Sequence, residues 1–210
     1  MATEPKNKPK PRKVPVQTRS RATVEAILEA TARILEAEGL EAVTTNRVAE
    51  RAGVSIGSLY QYFPSRDAIL AELVRRMRLS MSARLMKASA EAQDMPLAEA
   101  VPRLMAAAVH QYETEPRLTA ALEQAEARLP RDPDVLAERG KVREAMADCL
   151  RRRGVADPDT AVADLVAMTR GIVMMAVSGR SVDYGALRQR IERAAMGYLT
   201  YDASPVEGGG

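Results

Sequence analysis

The chain has 210 residues, 46% hydrophobic, with a formal net charge of +3, enough for one large helical body or two modest domains with a proper core. A single cysteine, Cys149, excludes an internal disulfide framework. No apolar run is expected to reach bilayer length, and the basic start lacks the apolar core of a signal peptide, so the chain reads as a cytoplasmic protein not held in a membrane.

The charge is unevenly placed. Residues 1–21 hold Lys6, Lys8, Lys10, Arg12, Lys13, Arg19 and Arg21 against Glu4, a local balance of +6, whereas residues 22–78 sum to −1 and residues 79–210 to −2. Concentrated cations favour a polyanion through counterion release, nucleic acid ahead of an anionic membrane. A solubilising tail is the plainer alternative. Pro5, Pro9, Pro11 and Pro15 predict a disordered basic arm over 1–18, with no helix before about residue 19.

Val24, Ile27, Leu28, Thr31, Ile34 and Leu35 then recur at helical spacing up to Gly39, a residue suited to ending a helix. Thr44 stands before a short run, Thr45 to Arg51, and Ser55 before a second, Ile56 to Phe63; each hydroxyl is placed to cap a helix N-terminus. The link Ala52-Gly53-Val54-Ser55 is tight enough to predict a helix-turn-helix. Pro64 and Ser65 separate it from a run opening at Arg66.

Farther on, Pro96, Pro116, Pro133 and Pro158 mark helix starts, and breaks near Gly154 and at 179–183 bound two last helices, about 158–178 and 184–201. No strand-period segment occurs, so the fold is expected to be all-α. The organisation predicted is an arm at 1–18, a three-helix helix-turn-helix domain at 19–66, a larger helical domain at 67–202, and a flexible tail at 203–210.

In the second short helix Leu59 and Phe63 lie four apart and turn one face inward with Val54. The opposite face then presents Gly57, Ser58, Gln61 and the hydroxyl ends of Tyr60 and Tyr62. Short or planar polar groups around a glycine suit a major groove, Ser58 and Gln61 toward bases and the tyrosines toward phosphates. Each of these residues has an ordinary role as a cap, core or surface residue; their joint spacing favours DNA binding.

The stretch from about Arg21 to Leu73, roughly a quarter of the chain, resembles the DNA-binding domain of the tetracycline-repressor (TetR) family. The resemblance rests on Ala26-Ile27-Leu28-Glu29-Ala30-Thr31, on Gly39-Leu40-Glu41-Ala42-Val43-Thr44-Thr45, and on the block from Val48 to Phe63 that contains Ala52-Gly53-Val54-Ser55 and Gly57-Ser58-Leu59-Tyr60. It implies phosphate contacts for Thr45, Tyr60, Tyr62 and Arg66, and base or base-side backbone contacts for Asn46, Ser55, Gly57, Ser58 and Gln61. Many relatives carry lysine where Ile56 stands and arginine where Asn46 stands, so the reading surface is poor in cations and the basic arm is expected to add affinity from a flanking minor groove.

The resemblance also implies a C-terminal body that binds a small molecule and dimerises through its last two helices. Independently, the segment from Leu165 to Val177 is apolar nearly all round and must be covered on more than one side, while Leu187, Ile191, Ala194, Ala195, Tyr198 and Leu199 form a stripe. Two such helices from each of two copies make a four-helix bundle; burial within one subunit is the alternative. Candidate ligand contacts are Met105, His110, Tyr112, Met146, Met168 and Met174, although methionine at helical spacing also serves as plain core.

One histidine and one cysteine make no metal cluster, and no phosphate loop or catalytic motif occurs, so no metal, cofactor or enzyme activity is expected. The expected partners are a double-stranded DNA operator, an unidentified small molecule and a second copy of the chain. The competing reading is a helical interaction module, without DNA, attached to an anionic surface by its arm.

Overall fold

A computed structural model describes residues 16–177 and 182–201. In chain order the helices are α1 (Val16–Glu38), a 3-10 turn (Leu40–Ala42), α2 (Thr45–Ala52), α3 (Ile56–Tyr62), α4 (Arg66–Glu91), α5 (Leu97–Thr114), α6 (Pro116–Glu126), α7 (Pro133–Arg151), α8 (Pro158–Val177) and α9 (Tyr184–Thr200). No strand occurs among the described residues, so the all-α expectation holds.

The boundaries follow local chemistry. Thr44 Oγ1 accepts the Arg47 N–H at 3.3 Å, Ser55 Oγ that of Ser58 at 3.1 Å, and Ser65 Oγ that of Ala68 at 3.2 Å, each meeting an orphan donor of a first turn. Pro116, Pro133 and Pro158 each occupy the first helical position, where the missing N–H costs nothing. Gly53 ends α2 at φ 67°, ψ 30°, a left-handed geometry that suits glycine and turns the chain sharply toward α3. Between α4 and α5, Arg153 donates to the carbonyls of Ala92 and Met95 and so latches the turn to the end of α7.

Two apolar clusters organise the helices. The first gathers Ile27, Ile34, Leu35, Val48, Leu59, Ile69 and Leu70 from α1 to α4, and α6 adds Ala121, Leu122 and Ala125 from outside the helix-turn-helix. The second joins α4, α5, α7, α8 and α9 through Leu104, Val109, Leu150, Val162, Leu165, Leu187 and Ile191. Helix α4 runs through both: Ile69 to Met77 belong to the first cluster and Ala88 to the second, with Met81 against each.

Two expectations are corrected. A helix forms before residue 19, since α1 begins at Val16; Pro15 is the last proline of the arm, and nothing after it interrupts helical hydrogen bonding. An apolar run of bilayer length does exist, because Pro158–Val177 is long and apolar enough to cross a membrane by length and composition. Only 22% of its most apolar window is buried within the chain, so α8 is covered on one side, with Val166, Met174 and Met175 left exposed. The arm up to residue 15, residues 178–181, which include part of the break expected at 179–183, and the tail at 203–210 lie outside the described residues.

Candidate DNA-reading face and cavity

Leu59 is fully buried and Phe63 nearly so, with Val54 packed against the same cluster. That anchoring turns the other side of α3 outward: Ile56, Gly57, Tyr60 and Gln61 are exposed and Ser58 is half-buried. Ser55 Oγ and Ser58 Oγ share a hydrogen bond of 2.8 Å, which couples the cap to the reading face. The Thr45 hydroxyl meets the Tyr60 hydroxyl at 3.2 Å, so the start of α2 and the middle of α3 present one continuous polar edge, with Asn46 exposed beside it.

Two expected residues sit differently. The ring of Tyr62 packs partly against the first cluster and is only half exposed. Arg66 is half-buried and donates to the Leu40 carbonyl at 2.6 Å, fastening the start of α4 to the 3-10 turn. Arg47 is engaged as well: it donates to the Ala42 carbonyl at 3.1 Å and to both oxygens of Glu38 at 2.6 and 2.8 Å, holding that exposed carboxyl below its ordinary value. The reading face therefore carries little free cationic charge.

Gly57 is helical, and a Cβ added there would meet only Ser55 Oγ, at 3.9 Å. Nothing inside the chain needs this glycine, although glycine weakens a helix relative to alanine. Ile56, 39% exposed at the first position of α3, was not among the expected contacts. It offers an apolar group of the kind that meets a thymine methyl. Its signal in the sequence was a β-branched residue directly after a capping serine.

The body contains a cavity of about 480 Å³ between α4, α5, α7 and α8, with Glu123 of α6 in its wall. Leu85, Met105, Met146, Leu165 and Val173 give it apolar sides, while Arg78, Tyr112, Glu123, Arg139 and Arg170 supply polar groups. Of the expected ligand residues, Met105, Tyr112 and Met146 meet here. His110, Met168 and Met174 do not line it: His110 is half-buried on α5, Met168 packs on the second cluster, and Met174 is exposed.

The polar group of the cavity is an ion-pair network that no sequence signal announced, because its members are far apart in the chain and each resembles a surface residue. Buried Arg78 donates to Glu123 Oε1 at 3.0 Å and to both oxygens of Glu126, from Nε at 3.1 Å. The Tyr112 hydroxyl donates to Glu123 Oε1 at 2.8 Å. Burial, reinforced by the negative charge of Glu123, pushes the Tyr112 hydroxyl up to about 12. Burial works to raise Glu126, but Arg78, with Arg139 and Arg170 behind it, holds it below the usual carboxylate range. Burial and the neighbouring charge of Arg78 lower Arg139.

Comparison with known proteins agrees with this architecture. Residues 27–73 match the family model described as bacterial regulatory proteins, tetR family, and residues 96–199 match the tetracyclin repressor-like C-terminal domain. Among curated relatives, the HTH-type transcriptional repressor KstR of Mycolicibacterium smegmatis is 48% identical over 50 residues, 24% of each chain. The nucleoid occlusion factor SlmA of Glaesserella parasuis is 36% identical over 59 residues, 28% of this chain and 29% of SlmA. These matches thus span less than a third of the relatives' own length.

Over the whole fold, the chain is similar to SmeT, the repressor of the Stenotrophomonas maltophilia multidrug efflux pump SmeDEF. The TM-score is 0.65 at 24% identity, covering 90% of this chain and 96% of SmeT. SmeT has also been solved in complex with triclosan, and that structure superposes with a TM-score of 0.60. With both halves matched in order and the helix-turn-helix in place, the chain belongs to the TetR family of DNA-binding transcriptional regulators.

Proposed function

We propose that the chain is a homodimeric repressor that holds a palindromic operator and lets go when a small, mostly apolar molecule enters the cavity. The observation that carries this reading is the path of α4. The helix starts beside the reading face, where Arg66 grips the 3-10 turn, and its Arg78 lines the cavity. Arg78 is bonded to α6, which packs against α1, and Arg128, just past the end of α6, pairs with Glu41 at 2.7 Å. A change in the cavity wall is therefore transmitted to the reading head through two packed helices.

Operator contact is assigned to Thr45, Asn46, Ser55, Ile56, Gly57, Ser58, Tyr60 and Gln61, with Tyr62 and Arg66 positioning the head. The basic arm supplies the counterion-release component that the head lacks. Binding of an apolar compound is supported by the SmeT–triclosan complex and by the size of the cavity, which lies within the usual range of about 300–1,000 Å³ for small-molecule sites.

Dimerisation is assigned to α8 and α9. Val166, Met174 and Met175 leave α8 with an apolar face that a second copy would cover, and Tyr198 of α9 is braced beside it by donating to Asp164 at 2.6 Å. Covering by a partner accounts for the apolarity of α8 without a membrane and supports a cytoplasmic regulator beside its DNA.

Selection of bound duplexes from a random pool, followed by screening apolar small molecules for release of the selected site, tests the whole reading. A palindrome and at least one releasing compound are expected. Recovery of no palindrome would refute it.

A further inference from the structure

Resting on the reading of the cavity as the effector site, we propose that it selects a neutral, mostly apolar molecule bearing a hydroxyl group, whose hydrogen is given to Glu123 Oε2. Glu123 is 4% exposed and forms part of the cavity wall. Its Oε1 already accepts from Tyr112 and Arg78, whereas its Oε2, although buried, has no hydrogen-bond partner among the described residues. A buried acceptor left unmet is costly, and native proteins rarely tolerate one.

The two side chains bonded to Oε1 give Oε2 nothing. Tyr112 has one hydroxyl hydrogen and gives it to Oε1. Arg78 directs Nε and Nη2 to Glu126, Nη2 also to Oε1, and Nη1 toward the Met81 sulfur at 3.5 Å. No side chain among the described residues donates to Oε2, which leaves that acceptor open to a molecule in the cavity.

Charge narrows its class. Arg78, Arg139, Arg143 and Arg170 line the space, against the carboxylates of Glu123 in the wall and Glu126 behind it. The excess of positive charge disfavours an ammonium donor. An anionic head group would bring Oε2 no hydrogen and would set a second negative charge beside it. A neutral hydroxyl satisfies both conditions, and the flexible side chains of Met105 and Met146 let the apolar walls adapt to the rest of the molecule.

The test compares four probes on the full chain by calorimetric titration: 4-hexylphenol, its methyl ether 4-hexylanisole, 4-hexylbenzylamine and 4-hexylbenzoate. The phenol should bind about tenfold or more tighter than the ether, the value of a hydrogen bond to a charged acceptor, and tighter than the amine or the benzoate. In E123Q the amide keeps its oxygen toward Arg78 and Tyr112 and places N–H groups where Oε2 was. The preference for phenol over ether should then fall to about threefold or less, or reverse.

Equal binding of phenol and ether to the native chain, or tightest binding of the amine or benzoate, overturns the hydroxyl proposal. If that binding is abolished by M146W, which fills the cavity, or by A108W should M146W not fold, the effector-cavity reading still stands. Binding of none of the four, or binding untouched by the blocking variants, overturns the cavity reading and the proposal with it.

Discussion

Gly57→Ala separates the two demands made on the reading helix. Gly57 lies at the second position of α3 with helical geometry and solvent on its outer side, and the nearest atom to an added Cβ is Ser55 Oγ at 3.9 Å. No clash opposes alanine, and alanine removes the conformational-entropy cost of glycine in a helix, worth about 0.5–1 kcal/mol. A site in the first turn of a seven-residue helix belongs at the low end of that range. Urea denaturation should therefore show G57A as stable as the native chain or up to about 1 kcal/mol more stable.

Operator affinity should move the other way. A methyl group on the closest part of the helix lifts neighbouring Ser58 and Gln61 from the base edges, and loss of one good base contact is worth about 1–3 kcal/mol, on the order of tenfold or more in Kd. Fluorescence anisotropy with a selected duplex reads this directly. A stabilised variant that binds the operator as tightly as the native chain would refute the claim that the glycine serves close approach to DNA.

N46A and Q61A should each weaken operator binding by about 1–3 kcal/mol and relax specificity at one base pair, visible when selection is repeated with the variants. Deleting residues 1–15 should weaken binding and flatten its salt dependence, by about 0.9 in log–log slope for each phosphate that the arm no longer neutralises; an unchanged slope removes the arm from DNA recognition. M175E places a charge on a side chain that is 77% exposed in the single chain; if α8 is the dimer face, sedimentation should show dissociation strengthened on the order of a hundredfold.

R78M removes the buried partner of Glu123 and Glu126 and should cost about 3–5 kcal/mol at neutral pH. In the native chain Glu126 titrates below its ordinary value near 4.5, so its stabilising contribution is present above that value and is lost as pH falls through the lower folded value. Without Arg78, burial leaves the carboxyl raised and destabilising at neutral pH, and acid relieves it. The gap between native and variant should thus narrow from pH 7 toward 4, and a constant gap would disprove the electrostatic account.

Elements whose signals are local were legible in the sequence. Thr44, Ser55 and Ser65 are capping hydroxyls wherever they stand before a helical run, and Leu59 with Phe63 could pack only on one side of α3, so the helices of the reading head and their inward face followed. The cavity was half legible: methionines and one tyrosine could be suspected, yet Arg78, Glu123 and Arg139 read as solvated helix faces until folding brought α4, α6 and α7 together. Arg66 shows the opposite case, because a cation at a helix start suggests phosphate binding, and only the fold supplies the Leu40 carbonyl that engages it. The bilayer length of α8 is hidden in the sequence because Asp159, Asp164 and Arg170 interrupt the helix, yet they do not lower its mean hydropathy enough to offset its apolar residues.

The sharing of Ala121, Leu122 and Ala125 with the core of the reading head bears on how such regulators are recombined. A chimera that grafts another protein's head onto this body at the start of α4 would bring a foreign α1 against α6 and a foreign turn against Arg128. Mismatch there would leave a graft that still recognises its site and still takes up its compound, yet no longer answers one with the other. Successful exchange of specificities therefore requires the facing side of α6 to travel with the head, so that the transferable unit is a discontinuous one.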